Sequence, residues 1–324
     1  MKISLIATVL NEGESIRFLM DSIVKQTRQP EEVLICDGGS SDETITVLES
    51  YSDKLPLTII SRPGANISEG RNAAIEAASH DLIAVTDAGV RLAPNWLESL
   101  ISPFNNTLSP EVVGGFFLPD ADTPFEVAMG ATVLPEVEDI SAKTFMPSSR
   151  SIAFTKASWA AVGGYPEWLD FCEDLVFDFR LNATTSPFGF APKAVVYFRP
   201  RSTLKAFFKQ YYLYARGDGK ANLFPRRHLI RYLTYLIALP LLFFLGSRGS
   251  LLWFGILLAG GIYMVFVPYR RLSRQWGELS FLGRLESVFW VPIIRVGGDI
   301  AKMFGYPAGW LWRLKNTPPD WHIK

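Results

Sequence analysis

The first ninety residues alternate between two hydrophobic rhythms. Ile3–Leu10 is a continuous apolar run with β-branched members, and it stops at Asn11-Glu12. Glu14–Gln26 then places Ile16, Leu19, Met20, Ile23 and Val24 at helical spacing, which predicts an amphipathic helix. Glu32–Cys36 reads as a second strand. Ser40-Ser41-Asp42-Glu43 reads as a capping box with Ser40 as N-cap, opening a helix that ends near Tyr51. Leu57–Ile60 and Leu82–Thr86 predict two more strands, separated by an alanine-rich helix over Ser68–Ser79. Strands that alternate with helices predict parallel strands joined by right-handed crossovers.

From Pro110 to Pro200 the pattern loosens. Val112–Leu118, Arg150–Thr155 and Ala194–Phe198 predict strands, and Leu175–Asn182 a helix. This stretch is expected to complete the sheet and shape a pocket.

Beyond Arg201 the chain changes character. Lys205, Lys209, Arg216, Lys220, Arg226 and Arg227 face a single acid, Asp218, before two apolar stretches, Tyr232–Gly246 and Leu251–Val267. A spanning helix needs about 20 apolar residues. The second stretch qualifies, and the first does if Arg231 and Arg248 snorkel. Basic residues crowd both outer ends of the pair, while the turn Ser247–Ser250 carries one. The positive-inside rule then puts the N-terminal region and the tail in the cytoplasm of a multi-pass membrane protein. The competing reading is a pair of core helices in a soluble protein. In the tail, Arg284, Arg295, Asp299 and Lys302 share one helical face. That pattern suits a helix lying on the membrane or a third span, and Pro292 with Gly297-Gly298 argues against one long straight helix. The expected division is 1–228 for an α/β domain and 229–324 for a membrane region, with a hairpin at about 229–269 and a further helix at about 282–314.

Composition narrows the function classes. Charged residues are 20 % and hydrophobic residues 48 % of the 324, with a formal net charge of zero, so no basic excess marks a nucleic-acid binder. Two distant cysteines, Cys36 and Cys172, and three scattered histidines give neither a zinc spacing nor a disulfide framework.

In parallel sheets ligands gather beyond the carboxyl ends of the strands. Asn11-Glu12, Asp37, Arg62 and Asp87 fall there after successive strands. Asp37 opens the turn Asp37-Gly38-Gly39-Ser40, where a ligand and the backbone can come close, and its carboxylate can accept from a nucleobase N–H. Arg71 opens a helix and suits a phosphate. Asp87 ends a buried strand and suits a metal that bridges diphosphate oxygens. Glu173-Asp174 precedes a helix, where the dipole stabilises acids, and a carboxylate pair beside apolar residues also makes a tuned base.

These residues together resemble the family-2 glycosyltransferases over about Ile3–Gly219. The carriers are Ala7-Thr8-Val9-Leu10-Asn11-Glu12, the stretch Val33 to Thr44, Gly70-Arg71-Asn72-Ala73-Ala74-Ile75, Glu173-Asp174 and Gln210–Gly219. The resemblance implies the GT-A (Rossmann-like) α/β nucleotide-sugar fold, followed by C-terminal transmembrane helices. It implies that Thr8, Asn11, Glu12, Asp37, Gly39, Arg71, Asp87 and Arg216 bind the donor and that Asp174, beside Glu173, is the catalytic base. It also implies a divalent cation, Mg²⁺ or Mn²⁺, at Asp87. Here the sequence departs from the family's Asp-x-Asp, because Gly89 stands where the second aspartate is usual. The expected activity is inverting transfer of a sugar from a nucleotide sugar, UDP-sugars favoured, to a lipid-linked or glycan acceptor near the membrane. The rivals are a catalytically silent nucleotide-sugar-binding protein of the same fold, favoured by Gly89, and a nucleotidyltransferase, whose glycine-rich N-terminal loop is not seen. A transporter is the weakest, since two or three spans enclose no path.

Overall fold

The computed structural model describes residues 1–106, 109–141 and 145–322. In chain order the elements are β1 (Ile3–Val9), α1 (Ile16–Val24), β2 (Glu32–Asp37), α2 (Thr44–Glu49), β3 (Leu57–Ser61), α3 (Ile67–Ala77), β4 (Leu82–Val85) and β5 (Val90–Leu92). There follow α4 (Trp96–Ile101), β6 (Val112–Pro119), α5 (Pro124–Val133), β7 (Ile152–Thr155), α6 (Lys156–Ala161), α7 (Glu173–Thr184) and β8 (Gly189–Phe198). The last helices are α8 (Leu204–Ala221), α9 (Pro225–Tyr232), α10 (Leu239–Arg248), α11 (Leu252–Arg274) and α12 (Phe281–Asn316).

The chain divides into two compact units. The first holds residues 1–120, 137–199 and the tail from Asp320. Its sheet has the order β3-β2-β1-β4-β7-β6-β8-β5. The first four strands are parallel, as their crossover helices require. β7 runs antiparallel to both β4 and β6, so the sheet is mixed. β1 is buried along almost its whole length, Ser4 included, because both of its faces are covered. Leu5, Ala7 and Val9 join Leu19, Ile23 and Trp96 on one side, while Ile6 meets Ile75, Phe177 and Leu181 on the other.

The capping box expected at Ser40 does not form. The helix begins later, at Thr44, with no side-chain cap, and the Ser40 hydroxyl accepts instead from the Asn11 N–H at 2.9 Å. Two boxes form elsewhere, Asn66 with Glu69 at α3 and Thr123 with Glu126 at α5, each satisfying N–H groups that helix starts leave open.

The second unit holds 121–136 and 200–319, whereas the sequence suggested a boundary at 228/229. The difference lies in α8 and α5. Gly219, Gly305 and Gly309 let α8 and α12 approach until a Cβ would fall 2.2 Å or less from the facing backbone, so the two helices form one body. Phe125 and Met129 of α5 share a core with Phe207, Leu272 and Ile294. α12 continues unbroken through Pro292, Gly297-Gly298 and Pro307 over 36 residues.

Residues Pro225–Arg248 and Leu252–Arg274 make two helices of 24 and 23 residues, long and apolar enough to cross a membrane. A short π-helical stretch, Leu233–Ala238, joins α9 to α10 within the first. Only 6 % of each apolar window is buried, which argues against core helices of a soluble protein.

Candidate active site

Apart from Arg216, the residues singled out from the sequence lie along one end of the first unit's sheet. β1 sits between β2 and β4 in parallel register. The loops after these strands, bearing Asn11-Glu12, Asp37 and Asp87, therefore leave the same edge. Asp37 ends β2 and Asp87 follows β4 by two residues, on strands two places apart, about 10 Å at the usual strand spacing.

The Asp37 side of this edge is a self-contained loop anchor. Asp37 is 4 % exposed, and its carboxylate accepts from the backbone N–H groups of Gly39 and Ser40 at 3.0 and 3.1 Å. Gly39 takes φ +101°, and a Cβ there would meet Pro63 at 3.1 Å, so the turn requires glycine. Asn11, at φ +54°, accepts from the Ser41 N–H through Oδ1, and the Glu12 N–H donates to Thr44 Oγ1. Thr8 pairs with Cys36 on the neighbouring strand. These contacts tie the loop after β1 to the turn at Asp37.

The Asp87 side is a buried charge cluster centred on Arg71. α3 enters the sheet through its Asn66 box, and this delivers Arg71 to the interior, where it is 2 % exposed. Its two terminal nitrogens are taken by carboxylates: Nη1 donates to Glu173 at 2.7 Å and Nη2 to Asp87 at 2.8 Å. Arg150 approaches the second Asp87 oxygen at 3.4 Å. Arg71 also lies over the Tyr165 ring at 5.1 Å, and Tyr165 stacks on Phe177 at 4.0 Å and shares a hydrogen bond with Ser149 at 2.9 Å.

Glu173 and Asp174 form the first turn of α7. The chain reaches it through Cys172 at φ +63°, a left-handed conformation that costs a non-glycine residue about 1–2 kcal/mol and aims the two carboxylates inward. Asp174 Oδ1 accepts from the Leu175 N–H at 2.9 Å. Burial raises the affinity of both carboxylates for a proton. At Glu173, with Asp174 adding to the burial, the carboxyl is pushed up to about 7 against the pull of Arg71. At Asp174 burial outweighs the lowering by Arg71 and Arg150.

Arg150 and Asp178 escaped the sequence reading, and Asn72 stood in the Arg71 motif without a role of its own. Arg150 was visible only as the first residue of an expected strand. Asp178 lies one turn beyond Asp174, at the i+4 spacing that the sequence does display. It is 1 % exposed, neither oxygen has a hydrogen-bond partner among the described residues, and burial lifts its carboxyl well above the ordinary range. Asn72 satisfies all its side-chain capacity, donating to the Tyr165 carbonyl and Glu167 and accepting from the Tyr165 N–H and Trp159 Nε1. It thereby ties α3 to the loop that leads into α7.

The cluster brings Arg71, Asp87, Glu173 and Asp174 together; Asp37 joins it by position on the sheet edge and not by contact. A cleft of about 620 Å³ opens beside them, lined by Arg62 to Ala65, Glu69, Asn72 and Glu167. Its walls do not include Asp37, Asp87 or Asp174. Arg216 belongs to α8, in the second unit. For a divalent cation the fit is limited. No three His, Cys, Asp or Glu side chains among the described residues form a metal cage, and Gly89 presents open space where a second carboxylate would project. Asp87 alone suits an ion that takes its other ligands from phosphate oxygens and water, as Mg²⁺ commonly does.

Comparison with known proteins agrees with this architecture. Residues 4–132 match the family model for glycosyl transferase family 2. An O-antigen chain rhamnosyltransferase, WbaN of Salmonella anatum, is 25 % identical over 200 residues, covering 58 % of this chain and 62 % of its own. An uncharacterized Escherichia coli glycosyltransferase, YibD, is 29 % identical over 102 residues, covering 31 % of this chain and 30 % of its own. The chain thus spans less than two thirds of these relatives. Among solved structures, the mannosyltransferase PcManGT from Pyrobaculum calidifontis, in complex with GDP-Man and Mn²⁺, superposes with a TM-score of 0.60 at 16 % identity, over 94 % of this chain and 87 % of that one. S. aureus TarS 1-349 in complex with UDP-GlcNAc gives 0.53 at 18 % identity, over 91 % of each. Residues 4–132 thus match glycosyl transferase family 2, on the GT-A fold that the chain shares with these solved structures.

Proposed function

We propose that this protein transfers a sugar from a nucleotide diphosphate to a hydroxyl of a lipid-linked or membrane-proximal acceptor, with inversion at the anomeric carbon. The observation that carries the reading is the Arg71 cluster, which fixes Asp87, Glu173 and Asp174 around one buried guanidinium at the carboxyl end of the sheet. The solved neighbours that share the fold hold UDP-GlcNAc and GDP-Man, which supports a nucleotide-sugar donor.

In this reading Asp174 is the general base. Its carboxylate takes the proton from the acceptor hydroxyl as that oxygen bonds to the anomeric carbon. The bond from that carbon to the diphosphate oxygen breaks on the opposite face, and its electron pair leaves with the nucleotide. Burial raises the proton affinity of Asp174, which suits a base working near neutral pH. Arg71 is committed to two carboxylates, so it acts by holding them; Arg150, with a quarter of its side chain exposed, is better placed to face the leaving phosphate. Asp37 and its rigid turn receive the nucleoside. A divalent ion held by Asp87 and the diphosphate would neutralise charge on the leaving group.

The two exposed apolar helices are read as a hairpin anchored in the cell membrane. Arg226, Arg227 and Arg231 stand at one outer end and Arg270, Arg271 and Arg274 at the other, a charge distribution that supports a cytoplasmic side for both ends and the transferase domain.

The test is a panel of UDP-, GDP- and dTDP-sugars with purified protein in detergent, supplied with Mg²⁺ or Mn²⁺ and membrane lipid extract and read by released nucleoside diphosphate. Release with one donor class, dependent on the extract, is expected. Donor binding without release under every condition would favour the silent binding protein.

A further inference from the structure

We infer that α12 lies flat in the surface of a lipid bilayer along its whole length, as an interfacial helix and not a third span. This rests on the membrane reading of the hairpin and is independent of sugar transfer. Three faces of α12 carry it. The inner face, including Gly283, Ser287, Val291, Gly298, Gly305 and Gly309, is buried. Along that face Ser287 donates to the Pro124 carbonyl of α5, and Gly305 and Gly309 press on the α8 backbone. A lateral face is engaged by α9: Asp299 accepts from Arg231 at 2.8 Å, and Tyr306 stacks on His228 at 3.9 Å. The outer face carries Leu282, Leu285, Phe289, Ile300, Phe304 and Leu311, all exposed. Phe289 and Phe304 are 62 % and 64 % exposed.

An apolar stripe that long on a water-facing helix exceeds what a soluble surface ordinarily shows. Its spacing, close to multiples of 3.6 from Leu282 to Leu311, keeps it in one line. The occupant follows from length and company. At 36 residues α12 is about 54 Å long, against a hydrocarbon core of about 30 Å. A span would also carry α8 with it, because the two helices are locked at Gly219, Gly305 and Gly309, and α8 bears the exposed cations Lys205 and Lys209. The chain enters α12 only a few residues beyond the basic end of α11, at Arg270, Arg271 and Arg274, where the hairpin meets anionic headgroups. A helix beginning at headgroup depth, with its polar and small residues taken by protein and its free face apolar, matches an interfacial helix. Glu286 is the one acid exposed on α12, and it accepts from the Trp290 indole N–H.

The experiment is nitroxide depth profiling of the full chain in phosphatidylcholine–phosphatidylglycerol vesicles. Single cysteines replace Leu285, Phe289, Ile300, Phe304 and Leu311, with Leu258→Cys near the middle of the apolar stretch Leu251–Val267 as the deep reference and Lys205→Cys as the aqueous one. Both native cysteines are buried, and the parent protein gives the background. Oxygen and a water-soluble nickel chelate are compared as relaxing agents. The expected result is one shallow depth at all five α12 positions, with oxygen-to-nickel ratios several-fold above Lys205→Cys and below Leu258→Cys. A depth that climbs and falls along α12 means a span and overturns the inference. So does an aqueous signature at the five positions while Leu258→Cys stays deep, and so does low access to both agents, which means a protein partner or a second copy covers the stripe. An aqueous signature at Leu258→Cys as well removes the membrane reading itself.

Discussion

Arg71 is the residue on which the local electrostatics turn. A buried guanidinium bridging two carboxylates is stable only as a set, and removal of one partner from a buried pair typically costs about 3–5 kcal/mol. Arg71→Met should therefore destabilise the protein by about that much in denaturant unfolding. Arg71→Lys should rescue little, because a point ammonium cannot reach Asp87 and Glu173 with a two-pronged geometry. Asp178 gives a pH signature. Its carboxyl holds the proton more tightly folded than unfolded, where about 3.9 is usual. Between those two values the native state binds more protons, so its contribution to stability falls as pH rises. Asp178→Asn lacks that loss, so its Tm advantage over the parent should grow from pH 4 to pH 8; an advantage that does not change with pH would show Asp178 ionised in the fold. The Asp174–Asp178 spacing stands in the sequence, but the second carboxyl lies near Tyr165, which comes from the loop ahead of α7.

At the scale of elements, the strands and helices of the first ninety residues were legible because apolar runs and 3.6-residue repeats report burial directly. The misplaced cap at Ser40 shows the limit of that legibility. Its hydroxyl serves the Asn11 loop across the sheet, a long-range partner that a local motif cannot reveal. The working box at Asn66 and Glu69 was equally local but went unread. Asn66→Ala should cost about 1 kcal/mol, within the usual range for a lost cap, and should lower activity as Arg71 shifts with its helix. The approach of α8 and α12 also escaped, since glycines inside a long helical pattern read as helix breakers. A Cβ at Gly305 would stand 2.1 Å from the Tyr212 carbonyl. Gly305→Val should therefore force the helices apart and cost at least about 1–3 kcal/mol, the usual penalty for overpacking, measured by thermal unfolding.

At the scale of the whole molecule, two polarities explain the organisation better than the neutral net charge does. The first unit concentrates acids and glycines at one sheet edge. The second concentrates cations at the outer ends of two exposed apolar helices. The basic run and the apolar stretches were plain in the sequence; that α5 and α8 would share the second unit was not, because they are ordinary amphipathic segments until their partners are known. In the proposed reaction the two carboxylate roles separate, Asp37 and Asp87 toward the donor and Asp174 toward the acceptor proton. The sharpest test compares Asp174→Asn with the parent, measuring donor affinity by calorimetry and turnover by nucleotide release on the same preparation. Loss of a general base predicts a fall in kcat of about 10²–10⁴ with donor Kd unchanged. Turnover within a few-fold of the parent, or loss of donor binding in step with activity, would contradict the assignment.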